Sequence, residues 1–243
     1  MIIPLLFILI LLLNAITRNK HIYYFSIFSL TLLVALRDET IGTDTEQYIL
    51  MYEHFENASY NGWPEPLYAY IMIFFNQLGA NFHVFQWFIA LLTTLFFHLG
   101  IRKCSKNPFY SLFCLYALFF IFYLMNINRQ IIAVSIVFYA LTFLYEKRKR
   151  PFVIFVLLAA AFHYASLIAF GILFILNLKG RRNIYSIGII SSLILGLVIN
   201  ETILGALLGP YSDYLNSSEH GFRTGARTLQ ALMLCTYFTG LAL

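Results

Sequence analysis

Long apolar runs dominate this chain and fix its solvent. Residues 2–17, 21–36, 84–101, 108–126, 130–146, 184–208 and 227–243 are almost free of charge. A spanning helix needs roughly 17–25 mostly apolar residues to cross a hydrocarbon core about 30 Å thick. Only 11% of the chain is charged and 60% is hydrophobic, whereas a soluble domain carries about 25% charged residues. Such a chain cannot cover a globule with polar surface. The expectation is an all-α, polytopic integral membrane protein, one transmembrane domain over residues 1–243. The first run lacks a basic leader and a small-residue cleavage site, so it reads as a retained helix. The last run stops at Thr239-Gly240-Leu241-Ala242-Leu243, which reads as a truncated or short form.

Charge placement orients the runs. The net charge of +5 is gathered in short basic clusters between runs, the pattern of loops facing cytoplasm and anionic lipid, not of a nucleic-acid surface. Lys147 to Arg150, Arg102, Lys103, Lys106, Arg18 and Lys20 are therefore assigned to the cytosol. That sends run 21–36 outward and puts residues 37–65 outside. This outer loop holds Asp38, Glu39, Asp44, Glu46, Glu53, Glu56 and Glu65, most of the acidic residues in the chain. Parity then leaves 66–80 too short for two crossings, and an interfacial or re-entrant helix resolves it. Stretch 151–178 stays open between one long helix, since AAAFHYASL lacks Gly and Pro, and two short helices meeting near His163. Cys104, Cys114 and Cys235 have neither metal-ligand spacing nor a disulfide framework.

Ionisable groups at membrane depth are expensive, so each is a candidate site residue. Arg129 stands with Asn126, Asn128 and Gln130 where an apolar helix should begin. It is either a snorkelling end residue or an anion ligand, because a guanidinium binds phosphate oxygens in a bidentate fork. His163 lies among aliphatics with Ser166 one turn on, and is either a packing residue or a site residue facing the protein interior. Gly42, Asp44 and Tyr48 place a carboxylate and a phenol one helical turn apart after a turn-forming glycine. Pro64 and Pro66 fix the backbone around Glu65. No glycine-rich phosphate loop, zinc pattern or nucleophile elbow occurs.

The order of these motifs resembles the EpsG-like family of Wzy-type polysaccharide polymerases. The resemblance runs through Arg37, Gly42, Asp44, Tyr48, Glu65, Pro66, Tyr68, Arg129, Gln130, His163 and Ser166. It implies a GT-C-like helical bundle in the bacterial cytoplasmic membrane and a metal-independent glycosyltransferase without cofactor. Its substrate would be oligosaccharide repeat units on undecaprenyl pyrophosphate, joined on the outer face for exopolysaccharide, capsule or O-antigen. A flippase and a chain-length regulator are the partners it implies. Within that reading Arg129 and Arg37 hold the pyrophosphate leaving group, Asp44 or Glu65 takes the acceptor proton, and His163 bonds sugar or phosphate. Tyr48, Tyr68, Gln130 and Ser166 line the substrate. The rival readings are a transporter of lipid-linked sugars, for which no inverted repeat is visible, and a non-catalytic subunit of an export complex.

Overall fold

The chain divides into two compact units, Met1–Phe174 and Ile175–Leu243. The computed structural model describes residues 2–38, 41–42, 44–53, 65–116 and 128–173, all in the first unit. The runs expected at 184–208 and 227–243 lie outside the described residues, as does the end of run 108–126. Among the described residues every regular element is a helix. They are α1 (Ile2–Thr17), α2 (Lys20–Ala35), α3 (Thr45–Glu53), α4 (Pro66–Gln77), α5 (Phe82–Cys104), α6 (Pro108–Leu115), α7 (Asn128–Tyr145) and α8 (Lys149–Phe162), followed by a 3-10 helix over Tyr164–Phe170.

Local chemistry sets the boundaries. Asn19, Asn81 and Asn107 precede α2, α5 and α6, and each side-chain oxygen accepts a first-turn backbone N–H, satisfying donors that the helix ladder leaves over. Pro66 and Pro108 occupy first-turn positions, where a missing N–H does no harm. Gly79 turns the chain from α4 into α5 with φ 69°, a left-handed conformation that glycine adopts without Cβ strain.

Two helices are long and apolar enough to cross a bilayer, α5 with 23 residues and α7 with 18. At 1.5 Å per residue they extend about 35 and 27 Å. Helix α4, with 12 residues, extends only about 18 Å, the short length expected of stretch 66–80. Its Tyr68, Ala69 and Met72 are buried, while Tyr70 and Phe74 are exposed. Helix α7 packs between α5 and α8. At that interface Gly100 leaves no room for a side chain, since a Cβ there would meet the Phe138 ring at 2.6 Å. Gly100→Ala should therefore weaken the unit by roughly 1–3 kcal/mol through overpacking. Thermal unfolding in detergent checks this, and an unchanged or raised midpoint contradicts the close approach. Polar ties hold α2 to α5: the Thr31 and Thr94 hydroxyls lie 3.0 Å apart and Gln86 Nε2 donates to the Val34 carbonyl at 3.0 Å. Inter-helix bonds of this kind are the usual glue between apolar helices.

The two ends of α7 differ in character. Past its C-terminus, Glu146 pairs with Lys103 of α5 at 3.0 Å and with Arg148 at 3.4 Å, and the Lys103 ammonium sits 3.9 Å from the Phe143 ring centroid. The hydrogen bond from Lys103 is the main influence holding the Glu146 carboxyl below its usual range. The basic clusters after α5 and α7 thus share one end of the unit. The other end of α7 starts at Asn128 and Arg129.

Candidate functional site

Glu65 is the hub of that second end. The residue directly precedes α4, and its side chain is only 2% exposed. One carboxylate oxygen takes Arg129 Nη1 at 3.0 Å; the other takes His163 Nδ1 at 2.7 Å and the Tyr164 backbone N–H at 3.2 Å. Burial alone pushes this carboxyl upward, but the His163 hydrogen bond and the Arg129 charge outweigh it and hold Glu65 at about 2. An ionised carboxylate only accepts hydrogen bonds, so His163 Nδ1 carries the proton and donates it. In the neutral ring Nε2 is then the nitrogen with the free lone pair.

This capture explains the conformation at His163. Helix α8 ends at Phe162, His163 is extended with φ −160° and ψ 114°, and a 3-10 helix follows. Of the two arrangements open for stretch 151–178, the chain adopts the broken one through residue 173. No Gly or Pro is needed, because Glu65 takes the His163 side chain and the Tyr164 N–H together. The Tyr164 N–H is released from the helical ladder, and its new acceptor is charged, which makes the exchange favourable. Ser166 N–H donates to the His163 carbonyl at 3.0 Å.

Around the hub the structure gathers most of the expected site residues. Arg129 lies 5.8 Å from the Tyr48 ring centroid, and Tyr48 and Tyr68 stand 5.9 Å apart. Tyr48 is held in place through α3: the Tyr52 hydroxyl donates to the Ala80 carbonyl at 2.7 Å and Asn76 Nδ2 to the Tyr52 carbonyl at 2.9 Å. Arg37, 4% exposed, donates from Nη2 to Asn128 Oδ1 at 3.5 Å. Burial draws its guanidinium down to about 10. Asp44 is half-buried before α3, with its carbonyl accepting Tyr48 N–H at 3.1 Å. Gln130 is exposed, one residue round α7 from Arg129. Ser166 is half-buried.

The acidic window is not one wall. Glu46 and Glu53 are on the exposed side of α3, opposite the buried Tyr48 and Tyr52; Glu39 and Glu56 lie outside the described residues. Glu65 is the acid of the window that pairs with both Arg129 and His163. Sequence reasoning missed Asn128 and the Tyr164 N–H. Asn128 carried a signal, as one of two asparagines in Asn126-Ile127-Asn128-Arg129-Gln130 at the head of an apolar helix.

The model of the EpsG family matches residues 20–242, a span that includes every residue of this cluster. The chain belongs to the EpsG family. No curated protein and no solved structure matches it. EpsG-family membership, with the long apolar helices, makes this a membrane protein of polysaccharide biosynthesis, in a family of glycosyltransferase-like polymerases whose known role is Wzy-type.

The ion pairs give the site a defined pH response. The folded-state value of Glu65, about 2, is below the roughly 4.3 of an unfolded glutamate. Its contribution is therefore present above about pH 4.3 and is lost as pH falls through 2. The difference corresponds to about 3 kcal/mol. Glu65→Gln should flatten the acid side of a stability–pH curve measured in detergent, and parallel curves for parent and variant would contradict the hub.

Proposed function

We propose that the chain joins polyprenyl-pyrophosphate-linked oligosaccharide repeat units on the outer face of the bacterial cytoplasmic membrane. The observation that carries this reading is the Glu65 carboxylate shared between Arg129 and His163, with Arg37 on the neighbouring Asn128. A hydroxyl of one lipid-linked unit attacks the anomeric carbon of the chain on the other lipid. The new glycosidic bond forms as the bond from that carbon to the pyrophosphate oxygen breaks, and its electron pair leaves with the pyrophosphate. Arg129 and Arg37 stabilise the charge that develops there, an electrostatic role that gains strength away from water.

The hydroxyl proton goes to His163 Nε2. Glu65 is a poor base for this step, since a carboxyl held at about 2 is far from the working pH that favours general-base catalysis. Its role is to fix the tautomer and direction of His163 and to hold Arg129. Asp44 lies close enough to Tyr48 to act on it electrostatically and shapes the acceptor side with Tyr48, while Tyr68 lines the substrate between them and the arginines. Gln130 and Ser166 are assigned to the substrate's rim. No metal or cofactor enters the scheme.

Sidedness follows from the two ends of α7. Positive residues favour the cytosol, so the end with Lys103 and Arg148 is assigned inside and the Glu65 end outside. In intact cells, Gln130→Cys should react with an impermeant thiol reagent while Cys104 reacts only after permeabilisation. The reverse pattern would put the site on the wrong face. The activity itself is tested by profiling lipid-linked oligosaccharides with and without the protein. Loss of long polymer with accumulation of single repeat units is expected; unchanged polymer removes the polymerase reading, and accumulation of uncrossed lipid-linked units inside would favour a transporter.

A further inference from the structure

Three buried hydrogen-bonding atoms beside the hub stay unsatisfied. Among the described residues, Asn128 Nδ2, the Tyr68 hydroxyl and Arg129 Nε have no hydrogen-bond partner. Asn128 is 3% exposed and Tyr68 fully buried, so water does not easily replace the missing partners, and a buried orphan is costly. The Asn128 side chain is within hydrogen-bonding influence of the Tyr68 hydroxyl, at a geometry that leaves Asn128 Nδ2 and that hydroxyl short of a closed bond. The Tyr68 phenol is also within electrostatic reach of both Arg37 and Arg129. All three atoms can donate, and two of them, the amide and guanidinium nitrogens, can only donate. What satisfies such a set is a group rich in acceptors and carrying negative charge.

We infer that Asn128 is a positioning and ligand-binding residue. Its Oδ1 holds Arg37 beside Arg129, while its Nδ2, with the Tyr68 hydroxyl and Arg129 Nε, receives the oxygens of a diphosphate. This rests on the polymerase reading for its substrate and adds residues to it: neither side of Asn128 belongs to the arginine–glutamate–histidine core. One guanidinium alone suits a single phosphoryl group. Two, one held by the Asn128 carboxamide and the other next to that residue in the chain, span a pair of phosphoryl groups. Arg129 has one terminal nitrogen on Glu65 and a further hydrogen bond to Tyr48, so it approaches the ligand through Nε.

The test uses the full chain in phosphatidylcholine nanodiscs and inorganic diphosphate as the probe, read as protection against thermal unfolding. Diphosphate should protect the parent at lower concentration than orthophosphate. Asn128→Asp keeps an acceptor for Arg37 but replaces the donor by a negative oxygen, whereas Asn128→Leu removes both. A binding role predicts Asn128→Asp as the worse of the two, needing about 10–100-fold more diphosphate. A purely structural role predicts the opposite order, with Asn128→Asp titrating like the parent, and that result overturns the inference. Tyr68→Phe, which loses only the hydroxyl, should also weaken protection. If added phosphatidylglycerol abolishes protection of the parent, the occupant is an ordinary lipid phosphate and the diphosphate assignment is wrong. Failure of the two readings is separable. A parent that makes polymer while Asn128→Asp binds diphosphate normally sinks this inference alone. A parent that binds diphosphate through Asn128 but makes no polymer sinks the polymerase and leaves the subsite.

Discussion

Glu65→Gln is expected to abolish long polymer and leave single repeat units on the lipid carrier. Glutamine keeps the volume and one carbonyl oxygen but loses the charge. It can still accept the Tyr164 N–H or His163 Nδ1–H, both of which now converge on one carboxylate oxygen. What it cannot do is neutralise Arg129, now paired at 3.0 Å, and its amide protons point at a cation. Removing one partner of a buried pair typically costs 3–5 kcal/mol because the other charge is left uncompensated. The His163 tautomer also loses its reason, since a neutral amide no longer forces the proton onto Nδ1. General acid–base assistance is typically worth about 10²–10⁴-fold, so the rate should fall at least that far at equal amounts of folded protein. His163→Ala should reproduce the catalytic loss with a smaller stability loss, because it removes one hydrogen bond to Glu65 but leaves the Arg129–Glu65 pair intact. Polymer made at near-parental rate by both variants would remove the dyad from the mechanism.

The local and the long-range parts of this molecule were unequally readable. Helix positions for α1, α2, α5 and α7 follow from apolar length, since in lipid a backbone must bond to itself. The shortness of α4 followed from counting residues. By contrast, the break at His163 is invisible in AAAFHYASL, which has no residue that ends helices. The cause sits 98 positions earlier in Glu65, a tertiary capture that overrides local propensity.

The site divides the same way. Tyr48, Glu65, Arg129 and His163 stood out among the polar groups of an apolar chain, Arg37 and Tyr68 came with the family resemblance, and the fold brings all six together. The family resemblance gave Glu65 and Asp44 equal standing as bases. The fold separates them: one is buried under an arginine and a histidine, the other half-buried before α3. Among the described acids of the window, Asp38, Glu46 and Glu53 are exposed rather than part of a wall around the hub.

Arg129→Lys is the change that separates a charge from a guanidinium. Lysine at 129 still meets Glu65 with a cation, so the hub keeps its charge balance and the fold should persist with modest loss. It offers a single ammonium where arginine has a planar fork. One terminal nitrogen of Arg129 is committed to Glu65 and the guanidinium also bonds Tyr48, contacts that a single ammonium cannot keep while it reaches a ligand. If Arg129 only anchors Glu65, lysine should retain most activity. If it also stabilises the departing pyrophosphate, lysine should fail almost as badly as alanine, by about 10²–10³-fold, the usual effect of removing one preorganised donor from developing charge. Polymer synthesis from lipid-linked repeat units in membranes with matched protein levels decides between them. A lysine variant within a few-fold of the parent would confine Arg129 to holding the hub and leave the leaving group to Arg37.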